Sequence, residues 1–342
     1  MVKDMPKFDF AISNPPYQDE KNDPVFQHIQ KMANNISTSS TMIYMASRWW
    51  YGTQNLSRFH DEMMNDKRLH KVIYYSERES STKVFDGTAI NGGLSIVEFS
   101  EKDNQTFELV ENSTQQSVHI KHGNVFLPIQ ASLVNIAEKI QNKREELDLP
   151  TVFERGESIY WPVRIQSWRF PEYNPVRVEK DYTNTDENKI IMYANVEGGK
   201  QGKSDYYLID KPEKLTINNK YKVCAGQSII ENSHRPLRLF LFDTGTYFGR
   251  SSVSLAYFDN EIEANNFTKY ASTTFFEFCL RLSLSGRMRT FGYYVPDFID
   301  YTSSNIWMNW DKNVENIDEQ LFDLFELTDE DIEVMKKKNL LK

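Results

Sequence analysis

Short apolar runs alternate with helix-spaced segments through the first hundred residues, and this alternation narrows the possible folds more than any other feature of the chain. Phe8-Asp9-Phe10-Ala11-Ile12 is a strand-like run that stops at a double proline, and Asp23 to Asn34 carries Phe26, Ile29 and Ala33 at helical spacing behind Pro24. Met42 to Ala46 reads as a second strand, Ser57 to Asp66 as a short helix, Val72 to Tyr75 as a third strand, and Gly93 to Phe99 as a fourth. Such an order predicts a parallel α/β sheet, with Gly92-Gly93 turning the chain into the last strand. The polar stretch Ser100 to Asn124 reads as hairpin or linker.

The rest of the chain has a different pattern. Leu133, Ile136, Ala137 and Ile140 make one helical face, and Pro150 to about Arg250 offers short strands broken by Pro, Gly and Asn, which predicts irregular β-rich structure. Phe267, Tyr270, Ala271, Thr274, Phe275, Phe278 and Leu282 predict one packed helix, with Asn260 and Glu263 spaced as a capping box before it. Thr328 and Asp331 repeat that spacing before a final helix whose Lys336, Lys337 and Lys338 suit a C-terminal dipole.

At 342 residues the chain exceeds what one core usually holds, which predicts two domains. A hydrophobic content of 39%, a charged content of 26%, and 22 Phe, 18 Tyr and 6 Trp exclude disordered, collagenous and coiled-coil classes. Cys224 and Cys279 form no pair at metal or redox spacing, so a reducing compartment is expected. No apolar run approaches a membrane span, and Met1 to Asp9 carries Lys3, Asp4 and Lys7 with no apolar core behind them; the expectation is a soluble cytoplasmic protein. The net charge of −9 is uneven, since Asp311 to Lys342 holds ten Asp and Glu against five Lys. A basic face on the main body is therefore compatible with the total.

The sharpest chemical signal is Ile12-Ser13-Asn14-Pro15-Pro16-Tyr17, directly after a strand. In an open α/β sheet, ligands bind at the carboxyl ends of strands. Two prolines stiffen the loop, so that the Asn14 side chain and the Pro15 carbonyl converge as two acceptors suited to an exocyclic amino group. Tyr17 adds a π-face on which a planar base or amide can stack. The set contains no covalent nucleophile and suits an amine oriented for direct transfer.

The tetrapeptide Asn14-Pro15-Pro16-Tyr17 resembles the catalytic loop of amino methyltransferases that use S-adenosylmethionine, a loop shared by adenine-N6 DNA methyltransferases, glutamine methyltransferases of release factors and some RNA methyltransferases. Val84-Phe85-Asp86-Gly87, followed by Ile90-Asn91-Gly92-Gly93-Leu94, resembles the later motif of adenine-specific restriction-modification methyltransferases of the Eco57I type. The resemblance implies that Phe85 sandwiches an extruded adenine against Tyr17; the other reading of Phe85 is an ordinary core aromatic. A third stretch, from Phe258-Asp259 and Glu263-Ala264-Asn265-Asn266 through Tyr270, Thr273, Phe275-Phe276 and Tyr293-Tyr294-Val295-Pro296 to Trp310 and the acidic tail, resembles the closing segment of the same family.

What the resemblance implies is an α/β fold: a partial Rossmann-like sheet of a methyltransferase dependent on S-adenosylmethionine, then a mixed α+β target-recognition domain. The expected divisions are residues 1–125 for the catalytic-loop half, 126–310 for target recognition and 311–342 for an acidic helical tail. Double-stranded DNA is the expected substrate. Arg164, Trp168, Arg169, Arg177, Lys200, Lys203, Arg235, Arg238, Arg250, Arg287 and Arg289, interspersed with aromatics, suit phosphate contacts and stacking, although solvated surface arginines give the same pattern.

Other signals point nowhere. Gly198-Gly199-Lys200-Gln201-Gly202-Lys203-Ser204 is one residue short of a P-loop and precedes a strand-like run, Asp205 to Ile209, instead of a helix. His119 and His122 have no third ligand for zinc, neither Cys follows a Pro as cytosine-C5 chemistry requires, and Glu187-Asn188-Lys189 lacks the rest of a nuclease site. The family's Gly-rich cofactor loop has no counterpart in the thirteen residues before Asn14, and Phe242 to Gly249 matches it poorly. The cofactor-binding half is therefore expected to be supplied by a partner chain or lost, and a sheet without its strands exposes an apolar edge that predicts a partner, self-association or aggregation. Two rivals remain: an RNA or protein-glutamine methyltransferase sharing the loop, and a DNA-binding specificity or regulatory subunit indifferent to Asn14 and Tyr17.

Overall fold

A computed structural model describes residues 7–20, 23–52, 55–123, 127–152, 171–194, 204–213, 219–226, 237–249, 252–282 and 294–337. They form a mixed α/β structure divided into two compact units, with the division between Glu138 and Lys139. No helix among the described residues is long and apolar enough to cross a membrane.

In the first unit the strands β1 (Phe8–Ser13), β2 (Ser37–Met45), β3 (Leu69–Tyr75), β4 (Leu94–Phe99), β5 (Thr106–Glu111) and β6 (Gln116–Lys121) make one sheet in the order β1-β2-β4-β3-β5-β6. β1 pairs parallel with β2 and β3 with β5, whereas β4 runs antiparallel to both of its neighbours. The expectation of a wholly parallel sheet is thus corrected. The link from β3 to β4 is one helical turn, α4 (Glu77–Glu79), a π-turn (Ser80–Val84) and a loop. It has too little apolar surface to lie across a sheet as a crossover helix, so β4 returns beside β3 in the opposite direction. The polar stretch after β4 is a hairpin that widens the same sheet, β5 to β6.

Helices α1 (Phe26–Ile36), α2 (Ala46–Trp50) and α3 (Ser57–Asn65) supply one side of the core. Phe26 stacks on Tyr44 at 4.8 Å, and Phe59, Trp49 and Trp50 join them above Met42, Val72, Val97, Phe107 and Leu109. Both indoles are satisfied: Trp49 Nε1 donates to Ser95 Oγ (2.9 Å) and Trp50 Nε1 to the Leu127 carbonyl (2.7 Å). Helix α5 (Ala131–Glu146) buries the expected Leu133, Ile136, Ala137 and Ile140, and Glu111 accepts from Ser132 N and Oγ at its start.

The opposite face of the sheet is only half-buried, because the alternation that sends Met42, Val72, Val97 and Leu109 into the core sends Ile43, Ile73, Ile96 and Val110 outward. At the edge, β1 leaves Phe8, Phe10 and Ile12 at 66%, 54% and 77% exposure. Among the described residues no strand pairs with the outer edge of β1, and an unpaired edge is a template for further pairing.

The second unit contains a three-stranded antiparallel sheet, β10 (Tyr221–Gly226) between β11 (Leu239–Phe242) and β13 (Ser252–Phe258). It also holds a four-stranded one, ordered β12 (Thr246–Phe248), β8 (Lys189–Ala194), β9 (Asp205–Asp210), β7 (Val176–Arg177). The single helix expected over Phe267 to Leu282 is two, Glu261–Ala271 and Thr274–Leu282. Thr273 Oγ1 donates back to the Tyr270 carbonyl and accepts from Phe276 N, while the Asp318 carboxylate accepts from Thr274 N (2.7 Å) and Phe275 N (2.9 Å). A cap supplied 44 residues downstream overrides an unbroken local period. The Asn260 and Thr328 caps form as expected. The acidic segment is packed rather than trailing: Ile317, Leu321 and Phe325 are buried, and Lys139 and Lys143 pair with Asp331 and Glu326.

Lys222 on β10 is fully buried, with Nζ donating to the carbonyls of Lys220 (2.8 Å), Asp243 (2.9 Å) and Thr244 (3.3 Å) beneath the Tyr247 ring. Burial pushes its pKa down from 10.5 to about 8, with Cys224 and Asp243 opposing the shift. The unfolded chain therefore binds more protons between those two values, so this group's contribution to stability rises with pH from about 8 toward 10.5 and is flat below. Lys222→Met is expected to remove that rise in the urea midpoint of this unit; an identical pH slope in the variant would refute the assignment.

Candidate active site

Because β1, β2, β3 and β5 run in one direction, the segments that follow them emerge at one end of the sheet. The Asn14–Tyr17 loop follows β1, α2 follows β2, and the Phe85 loop follows β3 and leads into β4. Thus the sheet brings to one end two motifs 70 residues apart in sequence. In the ladder Ser13 at the end of β1 is level with Met42, and Leu94 at the start of β4 is level with Met45, three residues further toward that end of the sheet. No ring contact joins Tyr17 to Phe85 among the described residues.

Asn14 is exposed, Pro15 is buried and Pro16 is exposed, so the loop is pinned by one proline and presents its asparagine to solvent. Tyr17 is half-buried: its ring packs against the core of the first unit, and its hydroxyl is enclosed with no hydrogen-bond partner among the described residues. Burial raises its pKa, so the phenol is neutral at physiological pH. Behind it the chain closes on itself, with Val25 N donating to the Tyr17 carbonyl (3.4 Å) and Asp19 N to the Asp23 carbonyl (3.0 Å). Arg48 of α2 donates to Gln18 Oε1 at 3.4 Å, linking the loop to the next strand's helix.

Phe85 is half-buried, neither a core aromatic nor fully exposed, and stands at the end of the π-turn. Gly92 and Gly93, at φ +80° and +79°, lock the far end of its loop: Gly92 and Gly93 carbonyls accept from Ser47 N and Ala46 N at the start of α2. Glu79 and Ser80, buried beneath this loop, are residues that the strand and motif reading missed. The sequence does carry a signal for one of them, since Ser76 and Glu79 stand at capping-box spacing and form that box.

The remaining expectations divide. Arg177 pairs with Asp205, and the Arg238 guanidinium lies 4.9 Å from the Phe240 ring centroid. Arg164, Trp168, Arg169, Lys200, Lys203, Arg235, Arg250, Arg287 and Arg289 lie outside the described residues, as does the near P-loop as far as Lys203. Two concavities, of about 380 Å³ beside Pro150, Phe258 and Asp297 and about 260 Å³ between α1 and α3, both lie away from Asn14, Tyr17 and Phe85. At Gly92 and Gly93 the space that a side chain would fill is taken by Ser47, Tyr74 and Tyr75 of this chain.

No family model matches the sequence, and no curated protein matches it. Among solved structures, the chain is similar to the type IIL restriction-modification enzyme MmeI in complex with DNA, at 10% identity and a TM-score of 0.40, over 87% of this chain and 46% of that one. It is also similar to the type IIG restriction endonuclease BpuSI, at 9% identity and a TM-score of 0.33, over 96% of this chain and 50% of that one. The chain therefore spans about half the length of each.

Proposed function

We propose that this chain carries the amine-orienting loop of a methyltransferase of the Eco57I type, which acts on the N6 amino group of an adenine turned out of duplex DNA. The observation that carries the reading is the position of Asn14-Pro15-Pro16-Tyr17: a stiff, solvent-facing loop at the carboxyl end of β1, on the same end of the sheet as Phe85. Asn14 Oδ1 and the Pro15 carbonyl accept hydrogen bonds from the two N–H groups of the amine, which holds its lone pair out of conjugation with the ring. Tyr17 and Phe85 stack on the two faces of the base, offsetting the cost of unstacking it.

The methyl group is supplied by S-adenosylmethionine, and we assign its binding to residues beyond those described, on a partner chain. The exposed apolar face of β1 supports this assignment, because Phe8, Phe10 and Ile12 share one side of the strand and would be covered by a layer packed across a sheet extended beyond β1. Residues of the second unit are assigned to holding the duplex.

The test is transfer of labelled methyl from S-adenosylmethionine to unmethylated duplex DNA, RNA and protein, using the chain alone and co-expressed with the product of the adjacent reading frame. Label recovered as N6-methyladenine in DNA, and weak cofactor binding by the chain alone, are expected. Label confined to RNA or to a protein glutamine would move the substrate class. A duplex gel shift with no transfer in any arm would leave a DNA-binding subunit as the answer.

A further inference from the structure

We propose that Glu79 is a positioning residue that sets the place of the Phe85 ring, an inference that rests on the stacking role given to Phe85 above. Glu79 is 7% exposed, and both of its carboxylate oxygens are fully used. Oε2 accepts from Ser76 N (3.1 Å) and Ser76 Oγ (3.2 Å); Oε1 accepts from Lys83 Nζ (2.8 Å) and Asn112 Nδ2 (2.6 Å). Those donors come from three places: the end of β3, the π-turn itself, and the β5–β6 turn. Burial pushes the Glu79 carboxyl up, but Lys83, the Ser76 backbone and Asn112 outweigh it and hold the group below the ordinary carboxylate range. A buried carboxylate with four donors is a fixed point, since losing it would take the partner from the half-buried Ser76 and Asn112 donors as well as from Lys83.

From that point the backbone runs into the π-turn. Phe85 N donates to the Ser80 carbonyl at 2.8 Å, a five-residue step in place of the helical four. One extra residue in the turn rotates every later side chain by about 100° relative to a continued α-helix, so the π-turn decides where Phe85 faces. Ser80, fully buried, clamps the loop at its base: its Oγ donates to the Glu77 carbonyl (2.7 Å) and accepts from Ile90 N (2.8 Å). The segment between Phe85 and Ile90 thus hangs from a rigid base while Asp86 to Ala89 stay exposed. None of the Glu79 hydrogen bonds reaches Phe85, so the carboxylate acts through Ser80 and the turn.

Stacking of a flipped base tolerates little displacement, and a shift of about 1 Å in a group near the chemistry can cost on the order of 100-fold in rate. The experiment is a double-mutant cycle with E79Q, F85A and the double variant. It reads methyl transfer to unmethylated bacterial genomic DNA by the co-expressed complex, together with amide hydrogen exchange over residues 80–92. E79Q is expected to lower kcat by about 10-fold to 100-fold with KM for DNA nearly unchanged, and to add less than about twofold to the loss in the F85A background. Exchange at Phe85 and Ile90 should quicken by about tenfold or more, while β3 and β4 stay protected; S80A should reproduce this without touching the carboxylate. A loss that adds in full to that of F85A would make Glu79 merely structural and overturn the proposal. So would unchanged protection at Phe85 and Ile90 in E79Q, a result that stands even if wild-type protein transfers no methyl group to DNA and the functional reading itself fails.

Discussion

Asn14→Ala is expected to lower methyl transfer by about 100-fold to 1,000-fold, the loss typical of removing one preorganised hydrogen-bonding group from a reacting centre. The structure makes this test unusually direct. Asn14 is exposed at the end of β1, beyond the last ladder pair Ser13–Met42, so its side chain carries none of the core. Surface substitutions of that kind change stability within about 0.5 kcal/mol, so the melting temperature should hardly move. Duplex affinity should stay within about threefold, since phosphate contacts carry most of it. A fall in kcat with stability and binding intact isolates the chemical role. If transfer survives in Asn14→Ala, the loop does not orient the amine, and the function assigned to Tyr17 and Phe85 falls with it.

Gly93→Ala should destabilise the first unit by about 2 to 5 kcal/mol, from left-handed strain of roughly 1 to 2 kcal/mol and overpacking of roughly 1 to 3 kcal/mol. Its φ is +79°, and an added Cβ would lie 2.5 Å from the Tyr75 carbonyl oxygen and 2.6 Å from Tyr74 Cε2. The first of those atoms is backbone of β3, the strand that pairs with β4, so it cannot swing aside as a side chain would. Gly87→Ala is the control. It has a comparable φ of +72° but nothing within 4 Å, so only the strain of roughly 1 to 2 kcal/mol remains. Urea unfolding followed by far-UV circular dichroism measures both; equal losses in the two variants would show that close approach at Gly93 contributes nothing.

Many elements of both units were legible because their signals are local. The apolar alternation of β1, the helical spacing of Phe26, Ile29 and Ala33, and the capping pairs Asn260–Glu263 and Thr328–Asp331 each lie within one element, where periodicity and backbone hydrogen bonding act directly. The candidate loop was legible for the same reason: a double proline after a strand needs no distant partner to be stiff. The direction of β4 was not, because a strand's own residues do not say which neighbour it will pair with, only how strongly each face seeks cover. Nor was the break at Ser272 and Thr273, which depends on a carboxylate more than forty residues downstream.

The sequence alone determined β1 to β4, α1 and α3 of the first unit, the stiffness of the Asn14–Tyr17 turn and its place directly after a strand. Only the tertiary structure decided that this turn and Phe85 share one end of a mixed sheet. It likewise decided that Phe8, Phe10 and Ile12 stay uncovered at an edge, and that Glu79 gathers donors from three separate segments. The physical reason is range. Backbone sterics and side-chain period act over a few residues and are written wherever those residues occur, whereas strand order, exposure and the partners of a buried charge are set by which surfaces meet once the chain has collapsed.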